Sequence, residues 1–167
     1  MQFLPSSSDA REQLADQVQS VLAHIKSCAD SPSDSLADNI ELLGLLRRNI
    51  YEHLNQIQHR ALLLDAAEYL EERYDIVEWW WHPEQTGTAN EPDLRGINAL
   101  GEVVVSAEAS ASHAPIGSID KHMRNTLTSL SGMGGKMFYF ARTAKMVNRA
   151  ATKISKMVKC TIEVVKL

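Results

Sequence analysis

The chain has 167 residues, of which 44% are hydrophobic and 23% charged, and its formal net charge is −4. This length suits one domain that buries its own core, and the composition indicates a soluble globular protein. The sequence predicts neither a signal peptide, because its start has no apolar run of sufficient length, nor a membrane span. Two distant cysteines, Cys28 and Cys160, form no disulfide framework or zinc pattern. They favour a reducing compartment, so we expect a cytoplasmic protein.

Charge is distributed unevenly along the chain. Residues 1–93 carry 6 Lys and Arg against 17 Asp and Glu, a net charge of −11, whereas residues 94–167 carry 11 against 4, a net charge of +7. The basic half favours a polyanionic partner. The alternative is that the two halves neutralise one another in the fold.

Helical periodicity dominates the first 74 residues. A capping box at Asp9 and Glu12 predicts a helix over 9–28, which is followed by a run of turn residues. A long helical pattern then extends from Leu36 to residue 73 or 74, with Gly44 as a potential break.

Several polar residues of these helices have two interpretations. His24 and Cys28 lie four residues apart and form a candidate metal pair, although no other ligand pair accompanies them. Glu52, on the charged face of the second helix, is either a solvated residue or a third carboxylate near a site. His53 and His59 are interpreted as surface or packing residues rather than ligands.

Three short strands are predicted between residues 75 and 111. The first covers 75–82 and contains three consecutive tryptophans, which place aromatic rings on both faces. One set of rings is interpreted as core, and the other as core, a dimer contact or a surface that stacks on bases. A loop over 86–90 precedes the second strand at 91–95, and the third covers 102–111.

Asp93 and Glu108 are candidate metal-binding residues. Because alternate residues of a strand face the same side, Glu108 shares a polar face with Ser106 and Ser110. A half-buried carboxylate needs a partner, and a divalent cation shared with Asp93 would provide one, since hard cations prefer carboxylate oxygens. The alternative is an amphipathic strand with a solvated face.

The last four elements are predicted as a helix over 118–130, a strand over 136–142, a helix from 144 and a strand over 161–165. The first of these helices carries Lys121, His122 and Arg124 near its start, where cations oppose the helix dipole unless an anion binds there. The second carries a basic stripe at Lys145, Arg149, Lys153 and Lys156. Such a stripe is typical of a solvated face or of a phosphate-binding surface.

The order of helix, three strands, helix, strand, helix and strand accompanies a Pro92-Asp93 and Glu108-x-Ser110 signature. In both respects the chain resembles the PD-(D/E)xK nuclease superfamily, over about residues 45–167. The resemblance implies an α/β restriction-endonuclease-like fold, with a mixed central sheet flanked by helices. The N-terminal helices are interpreted as an element added to this fold. We therefore divide this single domain into a helical extension, 1–35, and a nuclease-like core, 36–167.

The resemblance implies a Mg²⁺-dependent deoxyribonuclease of the restriction type that acts as a homodimer on double-stranded DNA and uses no organic cofactor. By their positions in the motif, Asp93 and Glu108 would be the catalytic residues, and together with the carbonyl of Ala109 they would bind the metal. Glu52 is the candidate for an additional acidic ligand from the first core helix. The residues expected to bind nucleic acid are Arg124, Lys136, Arg142, Lys145, Arg149 and Lys153.

Ser110 stands at the position of the motif's lysine, and serine cannot supply the positive charge that orients the attacking water. Lys121 is the first candidate for a migrated catalytic lysine, and Lys136 is the second. If neither reaches the site, the alternative is a catalytically inactive nuclease-like protein that binds nucleic acid or a protein partner. A further alternative is an assembly protein whose acidic and basic halves mediate self-association.

Overall fold

The computed structural model describes residues 1–4, 6–30, 32–84, 91–157 and 161–167. The loop predicted at 86–90 and Cys160 lie outside these ranges. Within them the chain is of mixed α/β class, as predicted. Its helices are α1 (Ser7–Ala29), α2 (Leu36–Glu71), α3 (Ser118–Leu130) and α4 (Ala144–Ile154). Its strands are β1 (Gln2–Leu4), β2 (Glu78–Trp81), β3 (Leu94–Ile97), β4 (Val103–Ser110), β5 (Lys136–Ala141) and β6 (Ile162–Lys166).

Side-chain caps fix the starts of three helices. Ser6, Ser35 and Thr143 each accept a hydrogen bond from the backbone N–H three residues later. Because Ser6 rather than Asp9 caps α1, this helix begins two residues earlier than the predicted 9–28. Gly44 does not interrupt α2, since a single helical glycine costs only about 1 kcal/mol relative to alanine.

The strands form a single mixed sheet in the order in which they occur along the chain. Strands β1 to β4 are antiparallel neighbours, and β4, β5 and β6 are parallel. Parallel neighbours require crossover connections, and α3 and α4 supply them. The order α2, β2, β3, β4, α3, β5, α4 and β6 is the predicted one, with β1 and α1 preceding it.

Two apolar cores cover the two faces of the sheet. The C-terminal half of α2 packs on one face, where Leu62, Leu63 and Leu64 are fully buried. Helices α3 and α4 pack on the other face, against Tyr139 and Ile162. Both faces of the central strands are therefore covered by helices.

Covered faces explain one difference from the sequence analysis, at Ser106, and confirm the prediction that one set of tryptophan rings belongs to the core. Ser106, on the predicted polar face of β4, is fully buried and donates its hydroxyl hydrogen bond to the carbonyl of Gly134 at 2.8 Å. That face is therefore not solvated at Ser106. Trp79 and Trp81 are buried in the core, and Trp80 lies against Phe3 of β1. Since β1 pairs with β2, the tryptophan strand lies inside the sheet and not at its edge.

Helix α1 packs along α2 as a helical hairpin. Arg11 of α1 joins the two helices through ion pairs with Asp65 at 2.8 Å and Glu68 at 2.6 Å. Although α2 is 36 residues long, none of the helices in the described ranges combines the length and apolar character needed to cross a membrane.

Candidate active site

A cleft of about 290 Å³ opens where β3, β4 and β5 meet α2 and α3. Its polar lining includes His59, Asp93, Glu108, Ser110, His122 and Tyr139. The β3–β4 register brings the acidic pair together. Leu94 lies opposite Ala107, so the next position of this antiparallel pairing places Asp93 opposite Glu108. Sheet pairing therefore converges two carboxyl groups that lie far apart along the chain.

The carboxyl groups of Asp93 and Glu108 line the same cleft from facing positions of neighbouring strands. Burial raises the pKa of Glu108 to about 9, and the neighbouring carboxylate of Asp93 adds to the effect. At neutral pH the pair therefore retains one proton, which a bound cation could replace.

The backbone of β4 fixes the orientation of Asp93. The N–H of Ala109 donates a hydrogen bond to Asp93 Oδ2 at 2.9 Å. This bond leaves Oδ1 directed towards His59 of α2, whose Nε2 lies 3.9 Å away. Both carboxylate oxygens of Asp93 therefore have a defined neighbour, Ala109 for Oδ2 and His59 for Oδ1.

His59 belongs to the site although the sequence predicted a surface or packing residue. It is only 1% exposed, and burial lowers the pKa of its imidazole, which is therefore neutral at physiological pH. A hydrogen bond with the backbone of His82 holds the ring. The missed signal is the apolar run at 61–64, which is typical of a helix that is buried on all sides.

Tyr139 is a second residue that sequence reasoning missed. It lies opposite Glu108 in the parallel β4–β5 register and lines the cleft together with Ser110. Burial raises its pKa to about 12, so its hydroxyl remains protonated and can donate. The surrounding apolar run of β5 indicated only a buried strand.

Neither candidate for the migrated lysine lines the cleft. Lys121 is exposed on α3, and the neighbouring His122 reaches the cleft instead. The ammonium group of Lys136 lies 4.9 Å from the centre of the Tyr74 ring. Because alternate strand residues face opposite sides, Lys136 projects from the sheet face opposite to Tyr139. The described lining of the cleft contains two histidines but no lysine or arginine.

Glu52 lies at a different cavity, of about 830 Å³, between α1 and α2. There its carboxylate accepts a hydrogen bond from the side chain of Gln56 at 2.8 Å. Glu52 precedes His59 by seven residues, which corresponds to about 10 Å along the helix axis. The position on α2 that faces Asp93 is therefore occupied by His59.

Three of the basic residues predicted to bind nucleic acid are engaged in ion pairs. Arg142 contacts Asp65 at 2.6 Å. Arg149 donates two hydrogen bonds to Asp120, at 2.7 and 2.9 Å, and the nearly buried Lys153 contacts the same carboxylate at 3.0 Å. These pairs connect the helices to their neighbours.

A basic groove of about 340 Å³ lies between α3 and α4. Its lining includes Arg124, Arg149, Lys153 and Lys156. His122 and Thr126 face the acidic cleft whereas Arg124 faces the groove, so the two openings lie on different sides of α3. Lys145 is exposed at the start of α4.

Asp93, Glu108 and the carbonyl of Ala109 offer oxygen donors suited to Mg²⁺. Protein sites for this ion commonly contribute one or two carboxylates, with waters completing the octahedron. In the described ranges, no group of three or more His, Cys, Asp or Glu side chains that could hold a metal ion occurs. The arrangement therefore fits a cation that keeps several waters better than one that requires a full set of protein ligands.

No family model, curated protein or solved structure matches this chain. A functional proposal for it rests on the motif residues and on the geometry of the cleft.

Proposed function

We propose that this protein is a Mg²⁺-dependent endonuclease of the restriction type that hydrolyses phosphodiester bonds in double-stranded DNA. The observation that carries the proposal is the convergence of Asp93 and Glu108 on one open cleft. The element order from α2 to β6 supports a restriction-endonuclease-like fold. The reducing compartment inferred from the cysteines supports a cytoplasmic location.

Bound Mg²⁺ would neutralise charge on the scissile phosphate and activate water. Asp93 and Glu108 would hold the ion once Glu108 had released its proton. The N–H of Ala109 holds Asp93 in place, and the buried ring of His59 lies against its other oxygen. Together these contacts limit rotation of the Asp93 carboxylate, so its geometry is set before the ion binds.

On α3, His122 replaces Lys121 as the residue that we expect to assist catalysis. It lines the cleft from the first turns of this helix, close to the acidic pair. Imidazole is the side chain most often used to transfer protons near neutral pH. His122 therefore handles the proton of the attacking water or of the leaving oxygen.

One observation favours the alternative of an inactive nuclease-like protein that binds nucleic acid or a protein partner. Ser110 stands at the lysine position of the motif, and the described lining of the cleft contains no lysine or arginine. Such a protein would bind its partner without cutting.

Binding of double-stranded DNA and formation of a homodimer belong to the same proposal. Two-fold symmetry would direct one cleft to each strand of a duplex. Arg124, Lys145 and Lys156 are the basic side chains best placed to contact the phosphate backbone, since they lie on or beside the groove of α3 and α4.

Cleavage of a supercoiled plasmid tests the proposal. We expect nicking or linearisation that requires Mg²⁺ and that falls by about a hundredfold or more in Asp93→Asn and Glu108→Ala. Glu163→Gln, at an exposed position on β6, is the matched control and should cleave normally. Binding without cleavage in every divalent metal supports the inactive alternative.

The same assay separates His122 from Lys121. We expect His122→Ala to lower the rate by about 10²–10⁴-fold, the range of general acid–base catalysis, and Lys121→Ala to leave it unchanged. The reverse result would assign the role to Lys121.

A further inference from the structure

The N-terminal half of α2 exposes a row of large apolar side chains. They are Leu36, Ile40, Leu43, Tyr51 and Leu54, each between 42% and 76% exposed. Their spacing places them on one side of the helix, and they extend over about 27 Å of its axis. Between Leu43 and Tyr51 the exposed Arg47 lies on the same side of the helix, so the row consists of two apolar segments. Such a row still differs from the scattered apolar residues of an ordinary surface. We refer to these five residues as the apolar row.

Helix α1 does not cover the apolar row. The residues of α2 that face α1 are a different set, which includes Ile50 and Ile57 and which borders one cavity together with Val21 of α1. Ile50 is accordingly buried, whereas Leu43 and Tyr51 are exposed. The apolar row therefore lies beside the α1 contact and is open to another molecule.

The charges beside the apolar row indicate what that molecule is. Glu41 and Arg48 lie two helical turns apart and therefore on the same edge of α2. When two identical helices pack antiparallel about a two-fold axis, each edge meets the same edge of its partner. With the axis midway between the two residues, Glu41 of each copy lies opposite Arg48 of the other. In a parallel two-fold dimer each edge would instead meet the opposite edge of the partner, so Glu41 and Arg48 would not pair with each other.

Gly44 lies near the centre of this arrangement. A side chain added there would meet nothing closer than the guanidinium of Arg48, at 3.7 Å. The missing side chain lets a second helix approach the backbone closely at the point where the two-fold axis would pass. Charge pattern and shape therefore both favour a second copy of the same helix.

We propose that the apolar row is the interface of an antiparallel, two-fold dimer of this chain. The proposed function includes a homodimer, and this inference, which rests on that function, names the surface through which the dimer forms. Dimerisation is measured by molecular mass and nuclease activity by cleavage, so either proposal can fail without the other.

Analytical ultracentrifugation of the full chain tests the interface. We expect the wild type to be a dimer, and Leu43→Glu to weaken the dimer by about a hundredfold or more, because a carboxylate would be buried at the centre of the contact. Leu100→Glu, at an apolar residue that is 81% exposed outside the apolar row, is the matched control and should remain dimeric. Circular dichroism verifies that both variants are folded. A monomeric wild type, or a Leu43→Glu variant that still dimerises, overturns the proposal.

Charge reversal tests the antiparallel orientation. Glu41→Arg gives two positive edges and Arg48→Glu gives two negative edges, so each variant alone should dimerise about tenfold more weakly than the wild type. An equimolar mixture of the two should recover dimerisation as a heterodimer, which native mass spectrometry resolves when one variant carries a tag. A mixture that stays as weakly associated as the separate variants overturns the antiparallel pairing.

Discussion

Burial of Glu108 beside Asp93 opposes folding when no cation is present. Burial of a carboxyl group beside a second carboxyl group raises its pKa because the charged form loses water and meets a like charge. A pair of this kind is a candidate for function, since perturbed titration in a cleft is typical of catalytic and metal-binding groups.

Glu108→Gln should stabilise the metal-free protein in a pH-dependent way. The pKa of Glu108 is 4.5 in the unfolded reference and about 9 in the fold, so the wild type loses stability as pH rises through this interval. Glutamine does not titrate. We therefore expect an advantage for the variant that grows with pH to about 1–3 kcal/mol at the upper end of the interval.

Thermal unfolding across the pH interval provides the measurement. Glu163→Gln, which removes an exposed carboxylate, should show no such growth. Mg²⁺ should raise the melting temperature of the wild type more than that of Glu108→Gln, because a ligand that binds only the folded state stabilises it. An advantage of Glu108→Gln that does not change with pH would contradict the raised pKa of Glu108.

The site residues differ in how readily the sequence predicts them. Asp93 and Glu108 belong to a motif whose spacing is visible in the chain. His59 and Tyr139 reach the cleft because of packing between α2 and the sheet and because of the β4–β5 register, neither of which a single sequence contains. Lys121 and His122 are neighbours on α3, and only the rotation of the helix decides which of them faces the cleft.

At the scale of elements, strong local signals predicted most of the fold. Ser118 and Leu130 bound α3 in the structure as in the sequence analysis, and α2 begins at the predicted Leu36. Strand β1 was not predicted, because three residues carry too little periodicity to indicate a strand. Its pairing with the tryptophans of β2 depends on tertiary contact.

Gly135 sets the approach of β5 to β4, and Gly135→Ala should be strongly destabilising. Its φ is +74°, and an added Cβ would lie 2.5 Å from the carbonyl oxygen of Val104, which belongs to the backbone and cannot rotate away. Left-handed strain and this clash together should cost about 2–4 kcal/mol. The same displacement would shift Tyr139 relative to Glu108, since the register of β4 and β5 pairs them.

Gly101→Ala is the matched control. Gly101 has nearly the same φ, +77°, but no atom lies within 4 Å of its added Cβ. We expect a loss of about 1 kcal/mol from backbone strain alone. Urea denaturation of both variants measures the difference. Equal losses would show that the contact with Val104 has no energetic role.

At the scale of the whole molecule, part of the charge asymmetry is neutralised internally. Asp65, from the acidic half, forms ion pairs with Arg142 of the basic half and with Arg11. Asp120 likewise forms ion pairs with Arg149 and Lys153, although all three residues belong to the basic half. The sequence left neutralisation and polyanion binding open as alternatives, and the structure divides the basic residues between ion pairs and the groove of α3 and α4.

The charge distribution predicts how DNA affinity depends on salt. If Arg124 contacts a phosphate, Arg124→Glu should weaken duplex binding and reduce the slope of log K against log salt by about 1, because one fewer counterion is released. Fluorescence anisotropy with a labelled duplex across a range of salt concentrations measures both quantities.

Lys26→Glu makes the same charge change on α1, in the acidic half of the chain, and is the matched control. It should leave the slope unchanged, because Lys26 on α1 is not part of the α3–α4 groove. The net charge is the same in both variants, so only the position of the substitution differs. Equal effects of the two variants would mean that overall charge rather than the α3–α4 groove attracts DNA. Negligible affinity at low salt would favour the assembly protein over any nucleic-acid function, since phosphate contacts are strongest under that condition.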